Sequence, residues 1–206
     1  RVVRSSGTGW TQLGSSISWG NAVIAASATG ELVVGGNPYS FSSGPSAHVL
    51  RWNGVAWVAM GTGPNAGVRS LLPLSDGGWL AGGAFNQADR AAAPHIARWD
   101  GSRWLPLSEG LGAVRGLVAM PGGGVVVGGD FVTVHGVAAP HIARWDGAQW
   151  WSLGGGVNGS VLAVAALPNG DVLAGGEFTE AGGVAASRVA RWDGTTWSSL
   201  GQGLNL

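Results

Sequence analysis

Cysteine is absent from all 206 residues, which excludes disulfides and thiolate metal sites and leaves the redox compartment unmarked. Lysine is absent as well. All 11 basic residues are Arg, they balance 11 acidic ones, and no basic run occurs. Nucleic-acid binding through phosphate neutralisation is therefore not expected. Apolar runs are short, residues 161–167 being among the longest. None approaches the ~20 residues of a spanning helix, so no membrane insertion is expected. No window holds a helical period of useful length. The sequence opens at Arg1 without Met or a signal-like segment, as expected of a processed chain or one excised from a longer protein.

Glycine and tryptophan, by contrast, are abundant: 39 Gly and 12 Trp, in a chain that is 45% hydrophobic and 11% charged. That is too apolar for a disordered low-complexity chain, so the glycines are expected at turns and strand ends. The tetrapeptide Arg-Trp-Asp-Gly stands at 98–101, 144–147 and 191–194, with Arg51-Trp52-Asn53-Gly54 as a near copy. Successive arginines are 47, 46 and 47 residues apart, and a worn copy, Arg4-Ser5-Ser6-Gly7, lies 47 before Arg51. A fixed period of this length means one supersecondary unit that buries its apolar face against the next copy.

The unit reads as four strands. In the cleanest copy, 161–167 is an apolar run ended by Pro168-Asn169-Gly170, and 171–174 is a second short strand closed by Gly175-Gly176. An 11-residue loop, 177–187, leads to 188–193. Asp193-Gly194 is a hairpin turn, and 195–200 the fourth strand. The double glycine recurs at 35–36, 82–83 and 128–129. Trp57, Trp104, Trp150 and Trp197 open the fourth strands, and Trp10 matches them in the partial copy. Leu or Met follows three residues later, then Gly, except at Leu107-Ser108. The expected fold class is all-β: a β-propeller of four-stranded antiparallel blades of about 47 residues. The first strand, apolar at nearly every position, belongs beside the axis, and Trp supplies area for packing blade on blade.

These landmarks resemble the Kelch and galactose-oxidase-like propellers. The string 167–179, Leu-Pro-Asn-Gly-Asp-Val-Leu-Ala-Gly-Gly-Glu-Phe-Thr, together with Arg-Val-Ala-Arg-Trp-Asp-Gly at 188–194, is similar to bacterial delta-60-type surface repeats. That resemblance covers nearly the whole chain. It implies a propeller on a secreted or surface protein of a bacterium and carries no activity. The copper chemistry of galactose-oxidase relatives implies Cys and Tyr ligands, whereas this chain has no Cys and a single Tyr, Tyr39. The WD-repeat propellers match less well, because only the Trp-Asp pair is shared.

Full blades are expected at 21–61, 67–108, 113–154 and 160–201, in one array with a half blade at 1–14. The half blade carries third and fourth strands only. Three readings follow: a five-bladed ring with one thin blade, an array closed by self-association, or a segment of a longer protein. The last two are favoured, a homodimer completing the ring among them, since an unpaired blade face exposes apolar surface.

The repeated Arg51, Arg98, Arg144 and Arg191, like the four tryptophans, are expected to be structural. Arg98 and Asp100 fall on one strand face and suggest a charge-assisted pair, or Arg stacked on a fourth-strand Trp. His48, His95 and His141 share one register at the start of the third strand, where blades fan apart. They are expected as polar strand ends and not as a metal site, and no cofactor is expected. The position after the double glycine is Asn37, Ala84, Asp130 and Glu177, so Asp130 and Glu177 on adjacent units are the acid/base candidates of an enzyme reading. Arg69 and Arg115 share a register in the first strand and could line the channel mouth and attract an anion. Tyr39 and Asn86, in the divergent loops 37–47 and 84–94, complete the candidate ligand contacts. The expected function is a non-catalytic scaffold or binding module for protein or glycan. A propeller hydrolase or lyase acting on polysaccharide is the alternative.

Overall fold

The computed structural model describes residues 2–5, 8–14, 19–38, 47–109 and 111–204. No helix occurs among them; they form four four-stranded and four two-stranded antiparallel sheets. The first blade comprises Trp19–Ala26, Leu32–Pro38, Val49–Trp52 and Trp57–Ala59. The second comprises Val68–Pro73, Trp79–Gly83, Ile96–Trp99 and Trp104–Pro106. Val114–Ala119, Val125–Gly129, Ile142–Trp145 and Trp150–Ser152 build the third. Val161–Ala166, Val172–Gly176, Val189–Trp192 and Trp197–Ser199 build the fourth. Strands pair in sequence order in every blade. A separate hairpin, Val3–Ser5 with Trp10–Gln12, stands at the register of the half blade.

The loops expected between second and third strands contain a further small hairpin in three blades: Gln87–Ala88 with Ala91–Ala92, Thr133–Val134 with Val137–Ala138, and Glu180–Ala181 with Val184–Ala185. Two-residue strands are too short to produce a legible alternation. Their anchors are Phe85, Phe131 and Phe178, each buried below its hairpin together with Ala93, Ala139 and Ala186.

Blade packs on blade through the first residue of each double glycine. A Cβ at Gly35 would lie 2.9 Å from Val68 Cγ1, one at Gly128 2.5 Å from Val161 Cγ1, and one at Gly82 would overlap Val114. The inner strand of each following blade thus seats its valine where a side chain is missing. The second glycine serves its own blade. A Cβ at Gly83, Gly129 or Gly176 would overlap the main-chain carbonyl of Gly67, Ala113 or Ser160, where the inner strand bulges. Gly175 meets only the Arg188 carbonyl oxygen, at 3.9 Å. The inner strands pack Trp19–Ala26 on Val68–Pro73, that strand on Val114–Ala119, and that on Val161–Ala166; among the described residues no comparable packing joins the fourth blade to the first.

Farther from the axis the blades diverge and tryptophan fills the space. Trp52 and Trp57, Trp99 and Trp104, and Trp192 and Trp197 form tilted pairs with centroids 5.4, 5.6 and 5.5 Å apart. The indole N–H of Trp57, Trp104 and Trp197 donates to the carbonyl of Leu13, Met60 and Leu153, which ends the preceding outer strand. Among the described residues Trp150 has no such bond, and it is the one preceded by Leu107-Ser108 in place of Leu/Met-Gly.

The repeated arginine does not pair with the aspartate two residues on. Arg98 reaches Asp76 at 2.6 Å, Arg191 reaches Asp171 at 2.6 Å and Arg51 reaches Glu31 at 3.5 Å, all in the turn between first and second strands. The turn carboxylate stands just ahead of the strand that pairs with the arginine's own, whereas Asp100 Oδ1 accepts the amides of Ser102 and Arg103 in its own turn. The same amide contacts recur at Asp146 and Asp193. These bonds hold the Asp100 and Asp146 carboxyls down to about 2, and that of Asp193 lower still.

The double-glycine contact yields a paired test by urea unfolding. Gly82→Ala should cost roughly 1–3 kcal/mol through overpacking. Gly175→Ala, whose Cβ enters open space, should be neutral or stabilise by about 0.5 kcal/mol.

Candidate functional site

Every inner strand of the last three blades carries a β-bulge at its start, between Val68 and Ser70, Val114 and Gly116, and Val161 and Ala163. The bulged residue leaves the alternation of the strand and is re-aimed at the rim. It is Arg69 in the second blade, Arg115 in the third and Leu162 in the fourth. The second strand ends at the same rim and delivers Asp130 and Glu177 just after the double glycine.

Arg115 and Asp130 meet there within the third blade. Arg115 Nε donates to both carboxylate oxygens at 2.8 Å, and Nη2 lies 2.7 Å from Oδ2. Ser160 Oγ, at the start of the fourth blade, donates to Asp130 Oδ1 at 2.6 Å and ties the pair across the seam. Both ionic side chains are about a third exposed, 33% and 30%. The Arg115 hydrogen bonds hold the Asp130 carboxyl below the usual carboxylate range, with Ser160 and the charges of Arg115 and Arg69 assisting against desolvation. Asp130 in turn holds the Arg115 guanidinium above its ordinary value, helped by the charge of Glu177. The rim therefore gathers Arg69, Arg115, Asp130, Ser160 and Glu177 from three consecutive blades. Arg69 and Glu177 are exposed, and among the described residues nothing bonds to the Arg69 guanidinium.

Chemically, this arrangement leaves one guanidinium and one carboxylate free around a closed ion pair. Asp130 is saturated and ionised, so it is poorly suited to donate a proton. Ser160 has no distinguishing context in the sequence except that its counterparts, Gly67 and Ala113, lack a hydroxyl.

Asn86 lies apart from this cluster. Its Oδ1 accepts from Asn65 Nδ2 at 2.8 Å, and its amide donates to Asn65 Oδ1 at 3.1 Å, clamping the small hairpin to the linker between blades. Asn158 repeats that clamp on Thr179 and Glu180. Asp89, in the divergent loop 84–94, binds the amides of Thr62, Gly63 and Trp104 and joins the first two blades. Tyr39 lies outside the described residues. The Nδ1 atoms of His48, His95 and His141 lie 3.0, 3.3 and 3.2 Å from the carbonyls of Gly36, Gly83 and Gly129, so each imidazole is engaged by its own blade.

Four-stranded antiparallel blades packed inner strand on inner strand make this chain a β-propeller. The family model described as "Domain of unknown function (DUF5122) beta-propeller" matches residues 167–192. Among solved structures, the chain is similar to the WD40 β-propeller domain of Doa1, at 17% identity and a TM-score of 0.48. That match covers 75% of this chain and 46% of the other, so this chain spans less than half of that length. No curated protein matches.

The ion pair carries a pH signature. The Asp130 pKa is lower folded than unfolded, so its contribution is complete above the unfolded value of about 3.9 and is lost as pH falls through the lowered folded value. Asp130→Asn should cost at most about 1 kcal/mol at neutral pH. The melting temperature of the wild type should then fall more steeply on acidification from about pH 6 to about pH 2 than that of the variant. Parallel acid limbs in the two proteins would refute the role of this pair.

Proposed function

We propose that the chain is a non-catalytic binding module of the delta-60 and Kelch-like kind, which takes an acidic partner at the rim where Arg69 stands. The observation that carries this reading is the free, bulge-presented Arg69 beside an ion pair that is already closed. A rigid β scaffold re-aims the guanidinium, and the Arg115 contact neutralises the Asp130 carboxylate, whose charge Arg69 also feels. The partner class is a glycan or protein bearing carboxylates, in keeping with the bacterial surface proteins that the repeats resemble. Association with further copies belongs to the same scaffold role.

A polysaccharide hydrolase or lyase would need Asp130 or Glu177 as a proton donor. The bidentate Arg115 contact, which holds the Asp130 carboxyl below the usual carboxylate range, disfavours it for that task.

Titration calorimetry with an oligogalacturonide, as a carboxylated glycan probe, tests the reading. Arg69→Ala should weaken binding about tenfold, the loss of one charge-assisted hydrogen bond, with the melting temperature unchanged. Equal binding by wild type and variant would remove Arg69 from the site. Chain cleavage that disappears in Glu177→Gln would replace the module by an enzyme.

A further inference from the structure

One joint recurs at the outer ends of successive sheets. Trp57, Trp104 and Trp197 are 7%, 2% and 5% exposed, and each donates its indole N–H to the carbonyl that closes the preceding outer strand, on Leu13, Met60 and Leu153. The glycine after that carbonyl, Gly14, Gly61 or Gly154, has φ of +66°, +63° or +52°. A Cβ there would run into the next blade: Trp52 at Gly14, Asp89 at Gly61, Trp192 at Gly154. Socket and plug thus meet three times inside the chain.

Among the described residues, each half also occurs exposed and without its partner. On the fourth blade, Leu200 and Gly201 (φ +57°) repeat the socket, yet among the described residues nothing lies within 4 Å of the Gly201 Cβ position. On the N-terminal hairpin, Trp10 repeats the plug but is 74% exposed. Among the described residues, the strands of the two end blades also have apolar side chains that no neighbouring blade covers. Leu173 is only half-buried, where Leu80 and Val126, its counterparts on the second and third blades, are covered by the next blade. Ile24 is 54% exposed, while its counterparts Leu71 and Leu117 are 7% and 9%.

We propose that Trp10 of one copy seats on the Leu200 carbonyl and Gly201 of a second copy, joining the chains head to tail. The occupant is specified by the joint itself: the socket accepts an indole N–H donor opening an outer strand, and Trp10 is the unburied residue at that register. The chain's own Trp10, being exposed, does not fill its own Leu200–Gly201 socket. Such a contact is heterologous. It closes into a ring when the rotation between copies allows and otherwise extends. This association is independent of ligand binding at Arg69, which lies at the inner rim and not at the outer ends.

Light scattering on the size-fractionated 206-residue chain, over a concentration series, tests the joint. The wild type should have at least twice the single-chain mass at high concentration. Trp10→Ala and Gly201→Asn should each run as single chains. Asn accepts the left-handed backbone of Gly201 while placing a side chain in the socket. Both variants should keep the circular dichroism spectrum of the wild type, because neither altered group packs inside one copy. Mixing the two should restore a two-chain species, since Gly201→Asn supplies an intact Trp10 and Trp10→Ala an intact socket. A wild type of single-chain mass at every concentration, assembly that survives Trp10→Ala, or a mixture that stays single-chain would each overturn the proposal.

Discussion

The architecture depends on one steric condition, the missing Cβ at the first glycine of each pair. Gly35, Gly82 and Gly128 let Val68, Val114 and Val161 of the next blade approach to a distance no side chain would permit. Inner strands can then converge while the outer edges remain apart. Volume must increase from axis to rim to follow that divergence, and it does: glycine and valine inside, paired tryptophans outside. The indole tethers of Trp57, Trp104 and Trp197 fix how far those outer strands swing from their predecessors. Close packing in the middle and hydrogen-bonded wedges at the edge define the pitch of the array.

Charge is used sparingly and almost entirely to hold turns. Arg98 with Asp76 and Arg191 with Asp171 tie the third strand to the turn that begins the second, bracing the pairing of those two strands. Aspartates at the outer hairpins accept from the amides two and three residues on in the same turn, and Asp89 joins two blades. Arginine suits these tasks better than lysine, because its planar fork can grip two oxygens at once, as Arg115 grips Asp130. With so many charges spent, an exposed guanidinium such as Arg69 stands out as unused by the fold.

The repeat was legible because identical packing demands identical residues at a fixed period. The fold class, the blade strands and the structural tryptophans follow from that. The partner of the repeated arginine did not follow. Arg98 and Asp100 share a strand face in sequence, but the hairpin closes on Asp100 and leaves Arg98 to the turn bearing Asp76, 22 residues earlier. The small hairpins escaped notice because two-residue strands have no periodicity. At the rim, Arg69, Arg115, Asp130 and Glu177 could be named from their registers, yet their pairing could not. Arg115 is engaged and Arg69 is free because only the third blade has a carboxylate at the position after its double glycine together with an arginine at its bulge. Ala84 occupies that place in the second blade.

Sequence alone determined the unit: four strands, turns at fixed places, glycine at the contact points and tryptophan at the outer edge. Local chemistry and period suffice for that, because each copy repeats the same solution. Tertiary structure decided what the copies do to one another. It paired Asp130 with Arg115 and Ser160, assigned Asn86 to a clamp, and left Gly175, Leu200–Gly201 and Trp10 without, among the described residues, the neighbours that their counterparts have. Those outcomes depend on which residue of the adjacent blade arrives at a given point in space, and a linear period does not encode that arrival.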